Sequence, residues 1–192
     1  GIIYGAKCVD GKFGKALSFD GVNDYVEVPH SDSLEATSEV TITAWIKTSS
    51  TPDWSGIVVK WKDHGTVQEQ GGYKFYVTPD NTIRLSVGKV GIGYSQAVGT
   101  TNLETNNWYF VAGTYDGSTI KVYVNGFEEN SASWTKGIGG TVAPLYIGWD
   151  DYSPARHFNG IIDEVRIYNR ALSEEEIRAL YERGVAPRPK LA

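Results

Sequence analysis

Carboxylates come first, because glycosidic hydrolysis is carried by two of them facing each other across the scissile bond. Asp163 and Glu164 are adjacent. Neighbouring residues of a strand point to opposite faces, so these two cannot form such a pair. No other strand-like segment carries carboxylates at i and i+2. His30, His64 and His157 share no local pattern and read as loop residues. Gly93-Tyr94-Ser95-Gln96-Ala97 echoes a nucleophile elbow but lacks the second glycine and the strand–turn–helix setting. The glycines of Gly91-Ile92-Gly93 and Gly137-Ile138-Gly139-Gly140 open no helix, so they make no phosphate cradle. Zinc spacing is absent, and the single cysteine, Cys8, reads as a buried structural thiol. Nothing here builds an active site.

Two other residue types remain. Asp20-Gly21-Val22-Asn23-Asp24 packs three side-chain oxygen donors into a short loop, and calcium takes its ligands from such loops. The rival explanation is plain turn chemistry. Trp149-Asp150-Asp151-Tyr152 offers two more carboxylates, as calcium ligands, as acceptors for sugar hydroxyls or as solvated groups. The second type is aromatic. Trp45 and Trp108 fall within alternating strands and read as core. Trp54, Trp61, Trp134 and Trp149 fall in or beside loops rich in Ser, Gly, Asp and Lys. An indole left outside a core has a large apolar face to offer, and a sugar ring presents a matching C–H face. Trp54, Trp149 and Tyr152, with Asp53, Lys60, Asp150, Asp151 and Arg156 nearby, have the mixture that sugar binding uses. Covering the bases of loops is the alternative use of these rings.

The elements that must hold these residues are strands. Thr41–Lys47 alternates apolar and polar residues, Tyr25–Val28 does so before Pro29, and Trp108–Tyr115 and Ile161–Tyr168 are long and β-branched or aromatic. Gly56–Trp61 and Tyr73–Val77 read as a hairpin with a long loop, followed by Ile83–Val87. Thr119–Val124 meets Asn125-Gly126, the strongest short hairpin signal. One helix is expected: Ser173 and Glu176 form a capping box, Ile177, Leu180 and Tyr181 make an apolar stripe, and Gly184 ends it.

Composition narrows the partners. The 192 residues suit one large β domain, and 22 glycines with 12% aromatics fit many turns and pleated strands. A net charge of −5 argues against nucleic acid. No apolar run is long enough to span a membrane, so membrane insertion is not expected. Gly1 stands directly against strand-like sequence and Pro187-Arg188-Pro189 reads as a linker. We therefore expect one domain over residues 1–187, a tail over 188–192, and a place in a longer multidomain chain.

The motifs also carry a resemblance. Phe13-Gly14-Lys15-Ala16-Leu17-Ser18-Phe19-Asp20-Gly21 with Asp24-Tyr25-Val26 resembles the opening of laminin-G-like, pentraxin-related jelly rolls of the concanavalin A-like type. Trp108 to Gly117, Val122-Tyr123-Val124-Asn125-Gly126 and Phe158 to Ser173 are similar to later motifs of that family, in the same order. The resemblance implies an all-β, two-sheet antiparallel jelly-roll sandwich with one short C-terminal helix. It implies a calcium site near one end of the sandwich, onto which Asp20 and Asp163 carry over, with Asn23 and Asp24 next. It also implies an extracellular or cell-surface setting. The leading expectation is a non-catalytic module that binds a polysaccharide or other glycan through Trp54, Trp149, Asp150, Asp151, Tyr152 and Arg156. A protein-binding adhesion domain is the alternative, and a polysaccharide-degrading catalytic domain comes third.

Overall fold

The computed structural model describes residues 1–50, 54–62, 70–139, 141–153 and 155–185. In chain order its strands are β1 (Ile2–Tyr4), β2 (Lys7–Asp10), β3 (Lys15–Asp20), β4 (Tyr25–Val28), β5 (Val40–Thr48), β6 (Ser55–Lys62), β7 (Gly71–Val77), β8 (Ile83–Lys89), β9 (Gly93–Val98), β10 (Tyr109–Tyr115), β11 (Thr119–Val124), β12 (Phe127–Ser133), β13 (Leu145–Ile147) and β14 (Asn159–Tyr168), followed by helix α1 (Glu174–Val185). The first sheet runs β1-β4-β13-β6-β7-β8-β9 and the second β12-β11-β10-β5-β14-β3-β2. Neighbouring strands pair antiparallel throughout. This is the expected jelly-roll sandwich.

Alternation decides which side chains meet between the sheets. Val58, Tyr73, Phe75, Val77, Ile83, Leu85 and Val87 of the first sheet and Ile42, Ala44, Ile46, Val111, Ile120 and Val122 of the second form one core. A smaller core lies on the far side of the second sheet, where Trp45, Phe110, Ala112 and Tyr123 meet Leu172 and Ile177, with Leu180 and Tyr181 packed alongside. The expected helix stripe docks there. The capping box forms: Glu176 N donates to Ser173 Oγ at 3.3 Å and Ser173 N to the Glu176 carboxylate at 2.9 Å. The Asn125-Gly126 turn also forms, with both residues at positive φ (52° and 84°).

Several expectations need correction. Gly184 lies inside the helix rather than ending it, and a Cβ there would stand 2.6 Å from the Trp45 ring, so close packing explains the glycine. Trp108 precedes its strand and is half-buried, with Lys47 over its ring. Cys8 sits on edge strand β2 and is exposed. Asp53, His64 and the tail over residues 188–192 lie outside the described residues.

Candidate functional site

The outward residues of β7 to β9 converge on one cleft. Register aligns Lys74 with Ser86 and Gln96, Tyr76 with Arg84, and Gly72 with Gly88 and Tyr94. Their sequence neighbours face the core, so period two alone sends this set outward. The cleft has a volume of about 250 Å³, and the residues Trp54, Tyr152 and Arg156 close it at one end. Its floor is hydrogen-bonded: Tyr76 OH and Ser86 Oγ share a bond of 3.3 Å, Ser86 Oγ donates to Gln96 Oε1 at 3.4 Å, and Arg84 Nη1 reaches the same oxygen at 3.5 Å.

Rings and cations alternate around the cleft. The Arg84 guanidinium lies 4.8 Å from the Trp54 ring and 5.8 Å from that of Tyr76. Arg156 stacks on Tyr152 at 4.3 Å and approaches Trp54 at 5.7 Å. Trp54 takes φ +45°, a left-handed conformation that is costly for a bulky residue and is found where local geometry serves a site.

Asp150 underlies this arrangement. It is fully buried, with Arg156 Nη1 at 3.0 Å and Lys74 Nζ at 3.7 Å from Oδ2. A carboxylate so buried must be paired and hydrogen-bonded. The loop that carries it folds back on itself: Trp149 bridges His157, and Asp150 N donates to the Arg156 carbonyl at 3.2 Å. Asp150 therefore positions two of the cations and is itself withdrawn from any ligand. Three cations line the cleft, two of them paired with this buried carboxylate, in a chain of net charge −5.

The expected sugar-binding residues divide. Trp54, Tyr152 and Arg156 line the cleft, and Asp150 lies beneath it. Trp149 is not an exposed ring. It is half-buried, parallel to His157 at 5.2 Å, and packed on Tyr25 at 5.0 Å and Tyr146 at 4.9 Å. Asp151 lies on that same side. There the Tyr146 phenol is pushed up to about 12, by burial first and then by the charges of Glu27 and Asp151. Burial also lowers His157 below its ordinary value, against the pull of the Asp24 carbonyl. Lys60 points inward, to the Ala143 carbonyl at 2.7 Å and His30 Nδ1 at 3.0 Å. Trp61 is a buried strand residue, and Trp134 packs on the core. The strand residues of the cleft that escaped sequence reading are Lys74, Tyr76, Arg84, Ser86, Tyr94 and Gln96. Their signal was present as polar or aromatic residues two apart on three consecutive strands.

The implied calcium ligands do not meet. Asp20 pairs with Asn159 and Asp163 lies four residues further along β14, about 13 Å away at ~3.3 Å per residue. Asp163 is buried, accepts from Phe13 N and Glu164 N at 2.8 Å each, and so secures the β14 bulge, where Glu164 takes φ +51°. Asp24 is buried as well, accepting from Asp20 N at 3.0 Å and lying against Gly5, where a Cβ would strike Oδ1. Asp20 Oδ1 accepts from Val22 N and Asn23 N, which hold its carboxyl below the ordinary carboxylate range. Asp20 and Asn23 are exposed. These side chains do not assemble the six to eight oxygens of a structural calcium site that includes Asp163. Of the implied ligands, Asp20 and Asn23 of the 20–24 loop are the ones that stay exposed.

The sequence model of the Concanavalin A-like lectin/glucanases superfamily matches residues 20–178. No curated protein sequence matches the chain. Among solved structures, the binding domain of Paraclostridial Mosquitocidal Protein 1 superposes with a TM-score of 0.78 at 19% identity, over 95% of this chain and 47% of that one. This chain thus spans about half the length of that toxin domain. Domain 4 of AbnA, an extracellular arabinanase from Geobacillus stearothermophilus solved with arabinotriose, gives 0.69 at 24% identity, over 94% of this chain and 82% of that one. The heptameric SAP-like pentraxin from Limulus polyphemus gives 0.58 at 17% identity, over 85% and 84%. At these identities the likeness is one of fold.

Proposed function

The chain belongs to the concanavalin A-like lectin/glucanases superfamily, and from that premise we propose that it is a non-catalytic carbohydrate-binding module of a larger extracellular or cell-surface protein. The observation that carries the reading is the cleft on the outer face of β7 to β9. It combines rings suited to the C–H face of a sugar with a row of hydrogen-bonding groups for its hydroxyls. A hydrolase needs two carboxylates on either side of the bond it cuts. No described residue lining the cleft is acidic, and Asp150 is tied beneath it to Arg156 and Lys74. The fold-level likeness to an arabinanase domain solved with a trisaccharide supports the same reading. Calcium enters this proposal only as an ion at the 20–24 loop, held by Asp20, Asn23 and the adjoining backbone.

Affinity electrophoresis through gels containing neutral or acidic polysaccharides tests the proposal. Retardation in at least one polysaccharide is expected, lost in Tyr152→Ala, with no reducing sugar released. Tyr152 is 54% exposed, so its loss should leave the melting temperature nearly unchanged. Absence of retardation in every gel overturns the binding reading, and released reducing sugar overturns the non-catalytic one.

A further inference from the structure

The charge of the cleft narrows the ligand further, on the premise that the cleft binds saccharide. A neutral sugar needs donors and acceptors in comparable number, and an excess of cations gives it nothing. Here the described lining supplies Lys74, Arg84 and Arg156, and no carboxylate at the surface. Arg156 and Lys74 share Asp150, so their charge is partly compensated.

Arg84 differs. Among the described residues no carboxylate pairs with it. Its Nη1 makes one long bond, 3.5 Å to Gln96, and its Nε is buried without a hydrogen-bond partner. Burying part of a guanidinium on an outward sheet face without an acid is costly for folding alone. The rings of Trp54 and Tyr76 lie near it, and β8 fixes its backbone between two paired strands. A planar fork held this way suits a planar anion, which it can grip with two parallel bonds.

We propose that the cleft recognises an acidic saccharide, with the Arg84 guanidinium bonded to a sugar carboxylate and Arg156 and Lys74 adding positive potential. Tyr152 and Trp54 then pack on the ring that carries the acid. Nucleic acid is a poor fit for the same anion site, because the chain as a whole is negative.

The test compares polygalacturonate with its fully methyl-esterified form, which removes the charge and keeps the sugar. Dextran sulfate and dextran serve as the sulfated and neutral arms. Polygalacturonate should bind about tenfold or more tightly than the ester, the equivalent of one charge-assisted contact. The preference should shrink as salt rises. Arg84→Gln should abolish it, and Arg84→Lys, which keeps charge and fold but not the fork, should retain only part. A melting curve for each variant separates lost binding from lost folding. Equal binding of polygalacturonate and its ester, abolished by Tyr152→Ala but not by Arg84→Gln, overturns the acidic assignment and leaves the glycan reading standing. Binding of dextran sulfate with polygalacturonate ignored overturns the carboxylate in favour of sulfate. Silence in all four arms and in the neutral polysaccharide gels removes both proposals together.

Discussion

Two groups of aromatic residues share the outer face of the first sheet, and they are built differently. Around Trp149, rings face rings: Tyr4 stacks on Tyr25 at 4.6 Å, Tyr25 and Tyr146 flank the indole, and His157 lies parallel to it. Around Trp54, rings face cations and an open cleft, and Tyr152 and Tyr94 are exposed. Rings that satisfy one another have little left for a ligand, whereas rings separated by guanidinium groups keep a face free. Composition alone does not separate the two groups, because both are Trp and Tyr beside Asp and Arg.

Asp150 joins the two regions, and its removal should have the largest effect. Asp150→Ala leaves Arg156 and Lys74 without their shared carboxylate and should cost about 3–5 kcal/mol of folding stability. It should also disorder the cleft and weaken saccharide binding. A variant with an unchanged melting temperature would show that the loop stands without its buried anchor.

The contrast between the two tryptophans is sharper. Trp149→Ala opens a cavity among half-buried rings and should cost about 2 kcal/mol, less than the ~3–5 of a fully buried aromatic. Trp54→Gly removes a ring but also relieves the left-handed backbone, so stability should stay within about 1 kcal/mol while saccharide binding is lost. Equilibrium unfolding and affinity electrophoresis on the two variants decide the matter. The reverse pattern, with binding lost in Trp149→Ala and stability lost in Trp54→Gly, would exchange the roles given to the two groups.

How legible this was in the sequence depends on the range of the interactions. Strand periodicity, the Asn125-Gly126 turn and the Ser173/Glu176 cap are local, and the structure has them as expected. Edge strands β2 and β12 were not foreseen, because Lys7–Asp10 and Phe127–Ser133 are largely exposed and lack a buried alternating face. Tyr152, Arg156 and Trp54 were identifiable as loop residues outside a core. Trp149 was misjudged, since Tyr25 comes from a distant strand and His157 meets the indole only once the 149–157 loop folds back on itself. Arg84 was missed for the opposite reason: on its own strand it looks like an ordinary outward charge, and only the pairing with β7 and β9 sets it in a cleft. Asp163 went wrong through carry-over, because its partners are Phe13, from the turn between β2 and β3, and Glu164, in a bulge that no sequence period marks.

Acidification should weaken the Trp149 side before the cleft side. Burial holds His157 below its ordinary value of 6.5, so the unfolded chain binds its proton more readily than the folded one. Its contribution is intact above 6.5 and is lost as pH falls below it, since protonation then favours unfolding. Stability should therefore fall between pH 7 and pH 5, and His157→Gln should flatten that part of the profile. An identical pH dependence in the variant assigns the loss to other groups.

The smallest effect should come from calcium, and it separates the two aspartates that sequence reasoning joined. Asp163 is buried, whereas Asp20 and Asn23 of the 20–24 loop are exposed, and a site with so few ligands binds weakly, with a dissociation constant on the order of 1 mM. At about 10 mM calcium such a site adds roughly 1.4 kcal/mol. Asp20→Ala should erase that increment while barely changing the melting temperature without calcium. Asp163→Ala should do the reverse. It strands the backbone N–H groups of Phe13 and Glu164, which should cost about 1–3 kcal/mol, and it should leave the calcium increment intact. Melting curves for both variants with calcium and with chelator give four values. Loss of the calcium increment in Asp163→Ala would return both aspartates to one site and contradict the separation along β14.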